Sequence, residues 1–165
     1  MNPTKAPGTL DVSTPSDLEI RITRVFDAPR QMVFDAYTKP ELLRRWMGRH
    51  NGSEFPVCEV DLRTGGSYRY VWRHPKGWEM GMGGTFLEVT PPRRLVTTER
   101  FDQPWYDGSC VGTVEFDEKD GRTTLTMTLR YDTKAARDSV LKSPMATGME
   151  QGFEMLAELL DTLQK

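Results

Sequence analysis

Residues 143–163 read SPMATGMEQGFEMLAELLDTL, and apolar residues recur in this stretch at every third or fourth position. The opening Ser143-Pro144 pair suits a helix start, because serine caps a helix and proline fits its first turn. One face of the predicted helix therefore collects Met145, Met149, Gly152, Leu156, Leu159, Leu160 and Leu163, with Phe153 at its margin. Such a face must be buried, so this helix needs a large apolar surface to pack against.

Strands earlier in the chain supply that surface. Residues 123–131 alternate polar side chains with Leu125, Met127, Leu129 and Tyr131, as a strand with one buried face does. Asp120-Gly121 just before it is a typical hairpin turn. Similar alternation predicts about seven strands, near residues 18–23, 58–62, 68–73, 78–89, 95–101, 110–116 and 123–131. Two short helices are predicted after the first strand. A bulge or bend in the fourth strand is indicated by Gly81, Gly83 and Gly84.

These elements predict an α+β fold in which a curved antiparallel sheet wraps around the long C-terminal helix. The predicted domain covers residues 17–165. Residues 1–16 are predicted to be a disordered or loosely ordered arm, because prolines interrupt them and they have no apolar period.

Composition excludes several classes of protein. The 165 residues carry 22 basic and 24 acidic side chains, for a net charge of -2 without charge blocks, so nucleic acid is not an expected partner. No apolar run is long enough to cross a bilayer, so membrane insertion is not expected. The two cysteines, Cys58 and Cys110, and the two histidines, His50 and His74, lack metal-site spacing. We therefore expect no metal and no cofactor, and a reducing, cytoplasmic location.

A sheet that grips one helix encloses space unless large side chains fill it. Gly148 and Gly152 on the helix add no side-chain volume, which predicts an apolar cavity for a small molecule. The alternative is an ordinary core that uses methionine as filler. The candidate cavity residues are Tyr70, Trp72, Met80, Met82, Phe86, Glu99, Phe101, Cys110, Val114, Met127 and Leu129 on the strands, and Met149, Gly152, Phe153 and Leu156 on the helix.

Glu99 is the one charged residue in that set. A carboxylate in apolar surroundings is costly unless it is paired, and its pKa rises. Three roles are open: an ion pair with an arginine such as Arg24, a hydrogen bond to a ligand, or acid–base catalysis. Trp105 lies in a predicted loop, where it is either a lid on the cavity or part of a partner surface. Cys110 is expected to be a buried, inert thiol, because no base is predicted beside it.

Four motifs in this order resemble those of a known family: APRQMVF (28–34), PELLRRW (40–46), VDLRTGGSY (60–68) and GTFLEVTPPRRLV (84–96). Over about residues 18–163 the chain resembles the bacterial stand-alone type of the activator of heat-shock-protein-90 ATPase homologue family. That family belongs to the START-like, or SRPBCC, helix-grip superfamily. The resemblance implies a helix-grip fold with a deep hydrophobic cavity. It implies no single chemistry, since superfamily members bind lipids, sterols, polyketides or plant hormones, and some are enzymes.

The expected function is binding of a small hydrophobic or aromatic molecule, lipid-like or polyketide-like, by a monomer or weak homodimer. No catalytic set is evident in the sequence. Two alternatives stay open: a cyclase or dehydratase that uses Glu99, and an interaction module that contacts a chaperone. The resemblance does not carry chaperone activation to this chain, because the eukaryotic co-chaperone that gave the family its name has an additional N-terminal domain.

Overall fold

The computed structural model describes residues 10–49 and 52–165, and within them a single antiparallel sheet of eight strands is covered by four helices. The strands are β1 (Leu10–Ser13), β2 (Glu19–Phe26), β3 (Glu54–Val60), β4 (Ser67–Arg73), β5 (Glu79–Thr90), β6 (Arg94–Phe101), β7 (Cys110–Lys119) and β8 (Arg122–Tyr131). The helices are α1 (Arg30–Thr38), α2 (Pro40–Leu43), α3 (Lys134–Lys142) and α4 (Met145–Leu163).

The strand order is β1-β2-β8-β7-β6-β5-β4-β3. Strands β3 to β8 thus form a meander of consecutive hairpins, and β2 adds to its free edge beside β8. The predicted α+β architecture, a curved antiparallel sheet with two short helices after its first long strand and a long helix at the C-terminal end, is confirmed.

The β7–β8 hairpin shows how local sequence determines register. Asp120 and Gly121 both have positive φ angles, 53° and 78°, as the predicted two-residue turn requires. Pairing then runs from Lys119↔Arg122 to Cys110↔Tyr131 without a shift. The alternating apolar residues of β8 therefore all face the concave side of the sheet, where they are buried.

The bulge in β5 is not at the glycines where the sequence predicts it. Pairing with β4 is regular throughout, and the register with β6 shifts between Phe86 and Glu88, so the extra residue is Leu87. The glycines instead allow the backbones of the neighbouring strands β4 and β6 to lie close to β5. A Cβ at Gly84 would overlap the carbonyl of Thr98 on β6, and one at Gly83 would lie 2.7 Å from the carbonyl of Tyr68 on β4.

The short edge strand β1 differs from the sequence-based prediction. It pairs with β2 from Leu10↔Arg24 to Ser13↔Arg21, inside the segment predicted to be a loosely ordered arm. Four residues are too few for alternation to stand out, and the strand depends on pairing with β2. Residues 1–9 of the predicted arm lie outside the described residues.

Helices α1 and α2 close one end of the sheet. The N–H of Arg30 donates to the carboxylate of Glu118, which extends from the β7–β8 hairpin, at 2.7 Å. The indole N–H of Trp46 donates to the carbonyl of Ala36 at 2.8 Å, which fixes the indole beneath α1. Trp46 is 3% exposed and presents its ring to the interior.

Helix α4 has two halves with different surroundings. In the second half Leu156, Leu159 and Leu160 are buried in the packed core. In the first half Gly148 and Gly152 face open space, and a Cβ built on either would meet no atom within 4 Å. The helix is therefore anchored by its C-terminal half, and its N-terminal half stands off from the sheet.

The junction before α4 also differs from prediction. Ser143 does not cap the helix; its hydroxyl donates to the carbonyl of Val140 at 2.5 Å, at the end of α3. Pro144 occupies the N-cap position of α4 and offers no side-chain hydrogen bond. Packing of its second half therefore stabilises the helix more than capping does.

Unequal anchoring of α4 predicts unequal costs of truncation along it. Leu160→Ala should lower the free energy of unfolding by roughly 2–5 kcal/mol, because it leaves a cavity in packed core. Met149→Ala should cost less than about 1 kcal/mol, because its side chain already borders open space. Urea-induced unfolding measures both, with the exposed Glu158→Ala as control. Equal losses at residues 149 and 160 would show that the helix packs uniformly on the sheet.

Candidate ligand cavity

A cavity of about 710 Å³ lies between the first half of α4 and the concave face of strands β3 to β8. This volume is within the range of small-molecule sites. The described residues around it are mostly apolar or aromatic, and the strand residues among them are Val60, Tyr68, Tyr70, Trp72, Met80, Met82, Phe86, Leu95, Thr97, Glu99, Phe101, Gly112, Val114, Met127, Leu129 and Tyr131. From α4 come Met145, Gly148, Met149, Gly152 and Phe153.

Most of the candidate cavity residues identified in the sequence lie together on this wall. They are Tyr70, Trp72, Met80, Met82, Phe86, Glu99, Phe101, Val114, Met127, Leu129, Met149, Gly152 and Phe153. They come together because residues of the same phase on neighbouring antiparallel strands face the same side of the sheet.

Cys110 and Leu156 do not lie on the cavity wall. Both are fully buried. Burial raises the pKa of the Cys110 thiol, and Cys110 lies opposite Tyr131 in the pairing of β7 with β8. Leu156 is one turn beyond Gly152, where α4 has already closed onto the core. Both residues therefore have packing roles.

Sequence reasoning missed several aromatic residues of the wall. Tyr68 shares the alternation of Tyr70 and Trp72, so the same pattern could have identified it. Tyr37 and Trp46 come from the α1–α2 end cap, and only the tertiary arrangement brings them to the cavity. Other contributions from outside the strands are Thr38, Met47, Gly48, Ser53, Tyr106, Val140, Ser143 and Pro144.

Glu99 points into the cavity from β6, on the same face as Thr97 and Phe101. Its Oε2 lies 3.5 Å from the position that a Cβ on Gly112 would occupy, so the carboxylate rests against the neighbouring strand β7. Among the described residues, no donor lies within hydrogen-bond distance of it. The nearby Tyr68 hydroxyl donates instead to the carbonyl of Thr98, at 2.8 Å.

The predicted pairing of Glu99 with Arg24 is wrong. Arg24 is 2% exposed and pairs with Glu154 of α4, with Nη2 and Oε1 3.3 Å apart. Strands β8 and β7 separate β2 from β6, which at the usual strand spacing puts the two backbones roughly 14 Å apart. Both side chains lie on the concave face because both residues occupy inward-facing positions of their strands, but the strand order keeps them apart.

Burial raises the pKa of Glu99 from 4.5 to about 7. Burial also raises the pKa of Tyr37, Tyr68, Tyr106 and Tyr131, and the charge of Glu99 adds to each of these shifts. The phenols are therefore neutral at physiological pH. The cavity holds a carboxyl group that titrates near neutrality among neutral hydroxyls.

Aromatic side chains form the mouth of the cavity. Trp78 is 56% exposed and stacks on His74 with ring centroids 4.4 Å apart. Trp105, the candidate lid, is 46% exposed and contacts Phe101 with centroids 4.8 Å apart. The two indoles belong to different loops, and both line the cavity while about half of each stays exposed to solvent.

Neither a metal site nor a membrane-spanning helix is found in the described parts of the chain. No group of three or more His, Cys, Asp or Glu side chains there could hold a metal ion. Within the same residues, no helix is long and apolar enough to cross a membrane. His50 lies outside the described residues.

The sequence matches the model of a known family. A family model described as Activator of Hsp90 ATPase homolog 1-like protein matches residues 27–161. The chain therefore belongs to this family, as the sequence motifs predicted. Among curated proteins, none shows significant sequence similarity to it.

Solved structures agree with this assignment. A protein from Rhodobacter sphaeroides is 31% identical with a TM-score of 0.86, over 93% of this chain and 98% of that chain. A protein from Nitrosomonas europaea is 26% identical with a TM-score of 0.79, over 92% and 99%. An HSP90 activator from Plasmodium falciparum is 24% identical with a TM-score of 0.62, over 87% and 96%; at this identity the likeness concerns the fold alone.

The raised pKa of Glu99 predicts a pH-dependent stability. Between 4.5 and about 7 the folded protein keeps a proton that the unfolded chain releases. The free energy of unfolding should therefore fall as pH rises through this interval, by on the order of 3 kcal/mol, and then stay level. Glu99→Gln is neutral at every pH and should remove this contribution, so the variant should be the more stable protein at about pH 8.

Urea unfolding of both proteins at about pH 5 and about pH 8 measures this effect. Glu59→Gln, an exposed position on β3, is the matched control and should leave the pH dependence unchanged. An unaltered slope in Glu99→Gln would mean that the carboxyl group is well solvated or paired in the folded protein.

Proposed function

We propose that this protein binds a small hydrophobic or aromatic molecule in the cavity between the sheet and the first half of α4. The single observation that carries the proposal is the open space beside Gly148 and Gly152. A helix that faces a sheet normally fills such positions with side chains, because interiors are close-packed. Here two glycines of α4 line a cavity whose wall is mostly apolar and aromatic, and the cavity has the volume of a ligand site.

The chemistry of the wall supports an apolar ligand. Tyr70, Trp72 and Phe86 supply flat ring faces, and Met82 and Met127 supply flexible thioethers that adapt to different shapes. Lipid-like and polyketide-like molecules both fit this description. The proposal includes Trp105 as a lid, which would cover the bound molecule from the β6–β7 loop.

A catalytic role for Glu99 has less support. Its pKa of about 7 suits a proton donor or acceptor. A reaction needs a second polar group in a fixed relation to it, and among the described residues no side chain is hydrogen-bonded to the carboxylate. The hydroxyl of Tyr68 donates to the carbonyl of Thr98 instead. The proposal is therefore binding without a metal or cofactor.

The proposal does not include chaperone activation. The fold likeness to an HSP90 activator from Plasmodium falciparum is compatible with a chaperone-associated module. The space between helix and sheet has no use in such a role, whereas ligand binding accounts for it. Two buried free cysteines, Cys58 and Cys110, are compatible with a reducing compartment, and we propose a cytoplasmic location.

Filling the cavity from the helix should separate binding from stability. Gly152→Leu should lower the affinity for the neutral fluorescent probe phenylnaphthylamine at least about tenfold, because the new side chain occupies ligand space. Stability should hold or rise by about 0.5–1 kcal/mol, because glycine is a poor helix former. Probe fluorescence and urea unfolding of the same variant provide both values.

The control is Gly152→Ala, which gains the same helix propensity but adds only one methyl group. It should be stabilised and should keep most of its affinity for the probe. If Gly152→Leu is instead destabilised by about 1–3 kcal/mol, as overpacking predicts, and the parent protein binds no probe, the cavity is closed and the proposal fails.

A further inference from the structure

The charge inside the cavity identifies a class of ligand. Glu99 is the one acidic side chain on the described wall, and no lysine or arginine lies on that part of the wall. Most carboxylates within a fold are held by a cation or by several N–H groups, because an unpaired buried charge is costly. Here neither is present among the described residues, and the carboxylate faces the space that a ligand would occupy.

The groups that face Glu99 from the other elements do not supply a positive charge. Tyr37 comes from α1, Tyr68 from β4, Tyr106 from the β6–β7 loop and Tyr131 from β8, and each senses the charge of Glu99. The Cys110 thiol on β7 also senses it and is protonated, because burial raises its pKa. None of these groups offsets the negative charge of an ionised Glu99; the imidazole of His74 also lines the cavity, where it stacks on Trp78.

Aromatic rings on the wall also favour a positively charged ligand. Tyr68 and Tyr70 lie with centroids 5.1 Å apart, and Tyr68 and Phe86 with centroids 5.6 Å apart, on the wall next to β6. Ring faces carry negative charge and attract cations within about 6 Å. A cavity whose wall carries both a carboxylate and aromatic rings is complementary to an organic cation.

We propose that the ligand is an amphiphile whose apolar, ring-bearing body fills the cavity and whose protonated amine pairs with Glu99. This inference rests on the proposed function, because it assigns the polar end of the same ligand. A carboxylic acid would place two like charges together, so fatty acids are disfavoured. A neutral alcohol would donate a single hydrogen bond and leave the carboxylate charge without a counterion.

A matched set of pyrene derivatives tests the proposal. Pyrenylmethylamine, pyrenylmethanol and pyrenylacetate share one apolar body and differ in the charge of the polar end. At about pH 8 the amine should bind the wild-type protein about 10–100 times more tightly than the alcohol, as expected for a charge-assisted hydrogen bond. The acetate should bind most weakly.

In Glu99→Gln the amine should lose its advantage over the alcohol, while the alcohol should bind within about threefold of wild type. The exposed Glu59→Gln should bind all three as wild type does.

Proton release provides a test that needs no variant. At about pH 6 the carboxyl group, with its pKa near 7, is mostly protonated, and pairing with the amine must expel that proton. Calorimetry of pyrenylmethylamine in buffers of different ionisation enthalpy should therefore show close to one proton, about 0.9, released per amine bound. Pyrenylmethanol should release none.

The outcomes distinguish this inference from the proposed function. If the alcohol binds and the amine binds no more tightly, or releases no proton, the amine assignment is overturned and apolar binding stands. If the acetate binds most tightly, the polar end of the ligand is an anion and the assignment is equally overturned. If no pyrene derivative binds, the proposed function and this inference fail together.

Discussion

The packing of the second half of α4 is the constraint on which the remaining structure depends. Phe153 lies edge-on to Phe26 of β2 with centroids 5.7 Å apart, and its ring is near that of Trp46, at 6.2 Å. Leu156 and Leu160 continue this contact and are fully or almost fully buried. Because α4 is held at this end, the packing there determines the direction of the whole helix. The first half then projects over strands β3 to β8 without filling the space beneath it.

The wall of that space contains closely packed aromatic residues and one residue, Glu99, whose burial opposes folding. Large aromatic residues on β4 and β5 make it rigid, and the backbone behind them is closely packed. A Cβ on Gly48, for example, would overlap the indole of Trp72, whose N–H donates to the carbonyl of Met47 at 3.1 Å. Against this background Glu99 is an exception, since burial of its carboxyl group opposes folding at neutral pH. Residues that lower stability in this way are often retained for function, and in this protein that residue faces the cavity.

Much of the fold could be predicted from local patterns. Alternation identified β2 to β8, Asp120-Gly121 identified the final hairpin, and helical periodicity identified α4. What failed was non-local. Strand β1 is too short to show a pattern, and the bulge at Leu87 depends on the register between β5 and β6. The ends of β4, β6 and β8 were predicted to within one residue, whereas β3 begins before its predicted start at residue 58 and β7 continues beyond its predicted end at residue 116.

The candidate cavity was predictable in part because local patterns show which residues of a strand face inward. Residues of the concave face follow from alternation, so Tyr70, Met82 and Glu99 were identified, and Tyr68 could have been. The separation of Glu99 from Arg24 was not predictable, because inward phase does not reveal strand order, and two strands lie between β6 and β2. Nor could sequence alone show where α4 leaves the sheet, which is why Leu156 was assigned to the cavity and is found in the core.

The central claim is that open apolar space lies beneath the first half of α4. A crystal structure under xenon pressure tests it most directly, because xenon enters apolar cavities without requiring a particular ligand. If the space is open, xenon density should appear beside Gly148 and Gly152, between α4 and the concave face of the sheet. Absence of xenon, with Met149 and its neighbours packed directly on the sheet, would contradict the claim.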